Sequence, residues 1–436
     1  MSGSHAMLGW ESVATLNSPN GDLLAYSNGY RIWNRNDDLL AGIEGLDSYQ
    51  PGGSGSTISS ATVFVPTTNQ QFYWFITITK VVLPDDSLVS GISASLIDMT
   101  LDGGLGGIVE SKKNLIIRTE VSEYLHVVRH ANERDWWVYS RPEDVNDFHV
   151  FRDLLTDTGS ISYPPEELMF PLRSEVGNIA TSPNGCFLAV VGYGSESFID
   201  GGIGVYQLDR GTGDLRYIDH VQSSEGVYGI AFSGNSELLY VSTQDPQRIY
   251  QIQFLSGDLQ VDTLLSLDIG VLSFGQMRRG DDDLIYFPIA DVGPDLVYDD
   301  YLGAIEFPDL VGSACSVNPQ RVYLAPDPVT ILGLPAFPNY VSRPSDCPID
   351  SHTTSVAVAP PDAQELIFAN SYGSEFYLKT PVQLLQVFDA MGRRVVSVRS
   401  PDVALDLRQL PGGYYVAIGE LKDGRRLRQR IVVGSF

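Results

Sequence analysis

The stretch Ile179-Ala180-Thr181-Ser182-Pro183-Asn184-Gly185-Cys186-Phe187-Leu188-Ala189-Val190 contains the pattern on which the fold turns. A short apolar run enters, Ser-Pro-Asn-Gly supplies the residues of a tight turn, and a second apolar run leaves. The same phrase stands at Ala14-Thr15-Leu16-Asn17-Ser18-Pro19-Asn20-Gly21-Asp22-Leu23-Leu24-Ala25-Tyr26-Ser27. It returns at Gly229-Ile230-Ala231-Phe232-Ser233-Gly234-Asn235-Ser236-Glu237-Leu238-Leu239-Tyr240-Val241-Ser242. A third strand follows each copy: Tyr30-Arg31-Ile32-Trp33, Gly204-Val205-Tyr206-Gln207-Leu208 and Arg248-Ile249-Tyr250-Gln251-Ile252. Between the copies that begin at Ile179 and Gly229 the spacing is that of a β-propeller blade.

Weaker copies fill the intervals. Ala61 to Pro66 with Gln71 to Ile76 predicts a second blade, and Tyr124 to His130 with Asp135 to Tyr139 a third. Met277 to Gly280, Leu284 to Tyr286 and Leu302 to Ile305 predict a sixth, and Gly333 to Val341 reads as the inner strand of a last one. No amphipathic helix interrupts Leu8 to Val341. The expectation is an all-β chain with a seven-bladed propeller, six or eight blades also being compatible. Radial repetition buries many short strands without leaving long exposed edges.

The propeller is expected over residues 8–349. Residues 1–7 read as an expression scar, because Met1 to Met7 has neither a basic nor an apolar signal-peptide region. Residues 350–361, rich in Ser and Thr and ending in Pro360-Pro361, read as a linker. Residues 362–436 form a second all-β unit. Its strand Leu385-Gln386-Val387-Phe388-Asp389 runs into a Met391-Gly392-Arg393 turn. Pro411-Gly412-Gly413 then feeds the aromatic strand Tyr414-Tyr415-Val416, and Lys422-Asp423-Gly424-Arg425 marks a hairpin.

The net charge is −26. Ten basic and eight acidic residues follow Ser351, so the acidity belongs to the upstream body. A body of that sign repels phosphate backbones and argues against nucleic-acid binding. No run of eighteen apolar residues is present, so no membrane-spanning helix is expected.

The order of the C-terminal motifs resembles the sorting domain that Bacteroidota use for type IX secretion. The match lies in Leu385, Val387, Phe388, Asp389, Gly392, Arg393, Pro411, Gly412, Gly413, Tyr414, Tyr415 and Gly424. The family's usual Pro-Asn-Pro opening is replaced by Ala359-Pro360-Pro361-Asp362. The resemblance implies an immunoglobulin-like sandwich and periplasmic transit to the cell surface or the medium. It also implies type IX translocon, shuttle and attachment proteins as partners.

Upstream, Asn20 to Asn36, Asp98 to Gly106, His130 to Val138, Tyr301 to Ile305 and Gly333 to Asn339 resemble an uncharacterised propeller of secreted and gliding-associated Bacteroidota proteins. Relatives of that kind usually carry glycine where Glu133 stands. They also begin with an extra aromatic-glycine strand ahead of Trp10, so the ring here either starts truncated or closes through another segment.

An extracellular destination bears on the cysteines. Cys315 and Cys347 lie in loop-like sequence and are expected to pair, closing roughly thirty residues for about 3–4 kcal/mol on the chain-entropy model. The alternative is three reduced, small apolar residues. Cys186 reads as buried and inert in either case.

Other chemistry is thin. His126 and His130 with Arg129 read as structural ahead of metal or acid–base roles. The weak calcium candidates are Asp295, Asp299 and Asp300, with Gly280-Asp281-Asp282-Asp283 behind them, and neither cluster has an EF-hand pattern. No cofactor is expected. The glycines from Gly103 to Gly107 lack a phosphate-loop lysine and read as an inter-strand loop. Trp33, Trp74, Trp136 and Trp137 are expected between blades ahead of stacking on sugars, and no nucleophile elbow surrounds any serine.

The functional expectation is a secreted or surface-attached, non-enzymatic propeller that binds a glycan or a protein. Its alternatives are an enzyme acting on extracellular polysaccharide and a structural part of a surface or gliding assembly.

Overall fold

In the computed structural model the described residues are 11–46, 62–82, 88–144, 149–168, 172, 174–194, 201–244, 246–255, 259–267, 272–291, 298–324, 331–342 and 347. In the C-terminal part they are 367–369, 376–378, 382–389, 393–399, 404–405, 410, 413–422 and 426–433. The chain divides into two compact units, Met1–Ile349 and Asp350–Phe436. The proposed scar and linker lie outside the described residues.

The first unit is a β-propeller. Among the described residues it contains six antiparallel sheets taken in chain order. The first holds Val13–Asn17, Leu23–Ser27 and Ile32–Asn34, and the second is built on Thr62–Pro66, Phe72–Val82 and Leu88–Asp98. The third starts at Val121–Arg129 and Trp136–Pro142, the fourth at Gly177–Thr181 and Phe187–Gly192. The fifth starts at Val227–Phe232 and Leu238–Thr243, and the sixth is built around Ile285–Asp291 and Tyr298–Ile305.

The repeated turn explains the repeated hairpin. In the fourth sheet the Ser182 hydroxyl donates to Asn184 Oδ1 at 2.6 Å and accepts from the Phe187 amide at 3.0 Å. Ser233, Asn235 and Leu238 repeat these bonds in the fifth sheet at 2.7 and 2.9 Å. The fourth turn position is left-handed each time, with φ of 87° at Gly21, 76° at Gly185 and 64° at Ser236. Glycine holds that conformation without the strain a Cβ brings. Glu133 is left-handed as well, with φ of 58°.

Apolar cores lie between successive sheets. Val63, Trp74 and Ile76 of the second meet Val127, Trp136 and Val138 of the third. Trp137 and Tyr139 of the third meet Leu188, Val190 and Tyr206 of the fourth. The indoles also link sheets by hydrogen bonds: Trp74 Nε1 donates to the Thr156 carbonyl at 3.0 Å, Trp136 Nε1 to Pro66 at 2.9 Å and Trp137 Nε1 to Arg210 at 2.8 Å. These three indoles and Trp33 are all buried. Each wedge thus combines a large apolar surface with a satisfied polar tip.

A seventh sheet is not formed among the described residues. The segment expected to begin it is instead a strap along the inner wall. The Gln276 amide in the sixth sheet donates to the Leu332 carbonyl at 2.8 Å. Pro335–Ala336 then pairs parallel to Val13 and Ala14 of the first sheet. Next, the Asn339 amide donates to the Val127 carbonyl at 2.7 Å and the Asn339 carbonyl accepts from Arg129 at 2.9 Å. The strap therefore spans the place where the sixth sheet meets the first, and the ring closes through it.

The cysteine pairing differs from expectation. Cys186 is bonded to Cys347, 161 residues later, and Cys315 is free and fully buried. Cys347 lies between the fourth and fifth sheets, packed with Cys186, Phe187 and Phe254. Cys315 ends the short turn Gly312–Cys315 and faces the core of the fifth and sixth sheets with Tyr240 and Phe287. Closeness in sequence to Cys347 therefore counts for nothing. The chain-entropy contribution of the longer closed loop is about 5 kcal/mol.

The second unit is a two-sheet sandwich of seven strands among the described residues. Ile367–Ala369, Phe376–Leu378 and Ala404–Leu405 form one sheet; Arg394–Arg399, Leu384–Asp389, Gly413–Glu420 and Arg426–Val433 form the other. Leu385, Val387, Tyr415 and Ala417 are buried at alternate positions, and Val387 pairs with Ala417. That alternation marks one covered face.

Candidate functional site

The inner strands converge on a channel, and their C-terminal ends surround a cavity of about 910 Å³. Every sheet contributes: Thr15 to Pro19, Thr62 to Thr68, Leu125 to Arg129, Ile179 to Pro183, Ile230 to Phe232 and Met277 to Asp281. The strap supplies Ala336 to Tyr340 and Ser342. A ligand here would touch residues drawn from the whole ring.

The strap is fixed by one side chain above all. Asn339 Nδ2 donates to the Thr181 carbonyl at 2.8 Å, to Thr181 Oγ1 at 2.7 Å and to the Ser182 carbonyl at 3.1 Å. Its Oδ1 accepts from the Val341 amide at 2.7 Å. On either side of this anchor, Phe337 and Tyr340 are left 50% and 47% exposed. Tyr340 meets Trp136 edge-on at 5.3 Å. Two aromatic rings thus stand in a polar-rimmed cavity with their backbone pinned.

The rim charges are mostly matched. Glu133 lies between Arg129 Nε at 3.4 Å and Arg210 Nη1 at 3.2 Å. Arg279 pairs with Asp283 at 2.6 Å and donates to Ser342 Oγ at 3.0 Å. Deeper in, Arg278 donates to the Met277 carbonyl at 3.0 Å and to Gln276 Oε1 at 3.3 Å. Burial brings its guanidinium down to about 10, leaving it charged at neutral pH. His126, half-buried beside Thr181 Oγ1 at 2.8 Å, falls to about 3 through desolvation and then the Arg278 charge. Its imidazole is neutral at physiological pH.

At the opposite end of the inner strands, burial lifts the Glu11 carboxyl to about 8. Tyr228 lies beside it, its hydroxyl buried and its pKa driven well up by burial and then the Glu11 charge.

The sequence candidates are dispersed. His130 is not paired with His126: its Nδ1 accepts from the Asn132 amide at 2.9 Å and its Nε2 meets the Gly211 carbonyl at 3.0 Å. In the aspartate run, Asp282 accepts from Tyr286 Oη at 2.7 Å and Asp283 is ion-paired, so this hairpin is internally bonded. Asp299 and Asp300 fall in strand Tyr298–Ile305, and Asp295 is outside the described residues. Among the described residues no cluster of three His, Cys, Asp or Glu forms a metal site.

Of the residues expected to carry a sorting signal, Leu385, Val387, Phe388 and Asp389 lie in one strand and Gly413, Tyr414 and Tyr415 in the adjacent one; Arg393 is exposed. Gly392, Pro411, Gly412 and Gly424 are outside the described residues. Sequence reasoning missed Phe337, Asn339, Tyr340 and Arg278 as site residues. The aromatic, Pro- and Asn-rich strap was the available signal.

No protein-family model matches the sequence, and no curated protein does. Solved structures with a related fold include the periplasmic gluconolactonase of Pseudomonas aeruginosa: TM-score 0.41, 10% identity, 91% of this chain and 95% of that one covered. A protein assigned as a 6-phosphogluconolactonase in Bacteroides uniformis aligns with TM-score 0.39 and 11% identity over 73% of this chain and 96% of that one. A glucose dehydrogenase-type oxidoreductase of Thermus thermophilus gives TM-score 0.38 and 14% identity over 65% and 92%.

Proposed function

We propose that the protein is a saccharide-binding propeller of the cell exterior, exported through its C-terminal sandwich. The observation that carries the binding reading is the pair of half-exposed rings, Phe337 and Tyr340, in a cavity ringed by all six sheets. A pyranose presents an apolar C–H face that stacks on such rings, and hydroxyls that suit the Asn17, Thr67, Thr68 and Gln70 side chains of the rim.

Binding without turnover is favoured by the acids. The carboxylates among the described lining residues are Glu133 and Asp281, and Glu133 is held between two arginines. A glycosidase needs two carboxyl groups facing one bond, one of them able to donate a proton. The Cys186–Cys347 bridge suits an oxidising compartment, which supports an extracytoplasmic address. The type IX translocon, shuttle and attachment proteins are the proposed partners of the sandwich.

Calorimetric titration of the full chain against a panel of oligosaccharides tests this reading. At least one is expected to bind saturably and remain intact. Phe337→Ala and Tyr340→Ala should each weaken it by about 10-fold. Hydrolysis of a bound glycan that is abolished by Asp281→Asn would replace the binding role with an enzymatic one.

A further inference from the structure

Each rim arginine of the cavity has a carboxylate: Arg129 has Glu133 and Arg279 has Asp283. Arg278, which also lines the cavity, has none among the described residues. Its donors reach the Met277 carbonyl and the Gln276 amide oxygen, both neutral. Gln276 Oε1 also accepts from the Leu334 amide at 3.2 Å, so that acceptor is shared with the strap.

His126 and Tyr228 are the titratable groups that couple electrostatically to Arg278, and burial keeps both neutral at pH 7. A half-buried cation without a counter-charge carries part of its desolvation cost, and an anion that enters the same cavity offsets it. The placement is the more pointed in a chain whose net charge is −26.

We infer that the channel carries an anion subsite centred on the Arg278 guanidinium, and that the saccharide bound at the mouth is an acidic one. The second half of this inference rests on the saccharide reading above; the first does not. A carboxylate or a sulfate ester would receive charge-assisted hydrogen bonds from the planar fork. Phe337 and Tyr340 would stack the sugar while Arg278 fixes which substituent points inward.

The full chain is titrated with trigalacturonate, a sulfated galactotriose, neutral galactotriose and sodium sulfate. One acidic trisaccharide should bind about 10- to 100-fold tighter than the neutral one, and which one does so identifies the anionic group. Arg278→Gln should bring that ligand to the neutral level, and Arg278→Lys should keep part of the preference. If Arg278→Gln does not fold, the wild-type preference and its retention in Arg278→Lys decide.

Equal binding of acidic and neutral sugars overturns the anion subsite and leaves the saccharide reading intact. Arg278-dependent binding of sulfate with no sugar bound overturns the saccharide reading and leaves the subsite. Silence from all four ligands overturns both.

Discussion

Glu11 shows how one half-buried carboxyl contributes to the pH response of the propeller. Its carboxyl is lifted to about 8 from an ordinary 4.5, by burial first and by the Glu123 charge in the same direction. Between these values the folded chain holds a proton that the unfolded chain has lost, so stability declines as pH rises from 4.5 to 8. Glu11→Gln should therefore raise the unfolding midpoint by a few degrees at pH 9 and leave it unchanged at pH 4. The bound is about 1.4 kcal/mol for each pH unit of displacement. Thermal unfolding at the two pH values checks this, and equal gains at both would refute it. His126 acts in the opposite sense. Held down at about 3, it costs stability as pH falls below its ordinary 6.5, and Glu11→Gln should not alter that loss.

At the scale of elements, the hairpins were legible and the strap was not. Ser182-Pro183-Asn184-Gly185 and its two relatives announce their turns through side chains that bond within five residues, so local sequence suffices. Gly333 to Val341 has the apolar content of an inner strand. Its conformation depends on Gln276, Val127 and Thr181, partners that no local pattern reveals. Cys347 is bonded to a cysteine 161 residues earlier, a pairing that no local pattern reveals. The cavity rings were missed for the same reason: Phe337 and Tyr340 become a site only once six sheets surround them. Asn339→Ala removes the strap's anchor and should cost about 2–3 kcal/mol. Amide exchange at Arg129 and Asn339 should accelerate with it. An unchanged denaturation midpoint with unchanged exchange would show that the strap is held elsewhere.

At the scale of the molecule, the chain is two units with different tasks in this account: a ring that presents a cavity and a sandwich that serves as an address. The apolar alternation of Leu385, Val387, Tyr415 and Ala417 explains part of the proposed sorting motif as plain folding, since these side chains cover one face of a sheet. Exposed Arg393 is then the better candidate for recognition. Deleting Leu385–Phe436 should leave the protein in the periplasm of a type IX-competent host, measured by fractionation and surface labelling. Normal export of the truncated chain would remove the address from the account.

The cavity is the heart of the account, and a crystal structure of the full chain soaked with the tightest-binding oligosaccharide tests it most directly. A sugar ring lying against Phe337 or Tyr340, with its charged substituent on the Arg278 guanidinium, is the expected result. A ligand seated on the outer strands, with only water between the strap and the six inner strands, would contradict it.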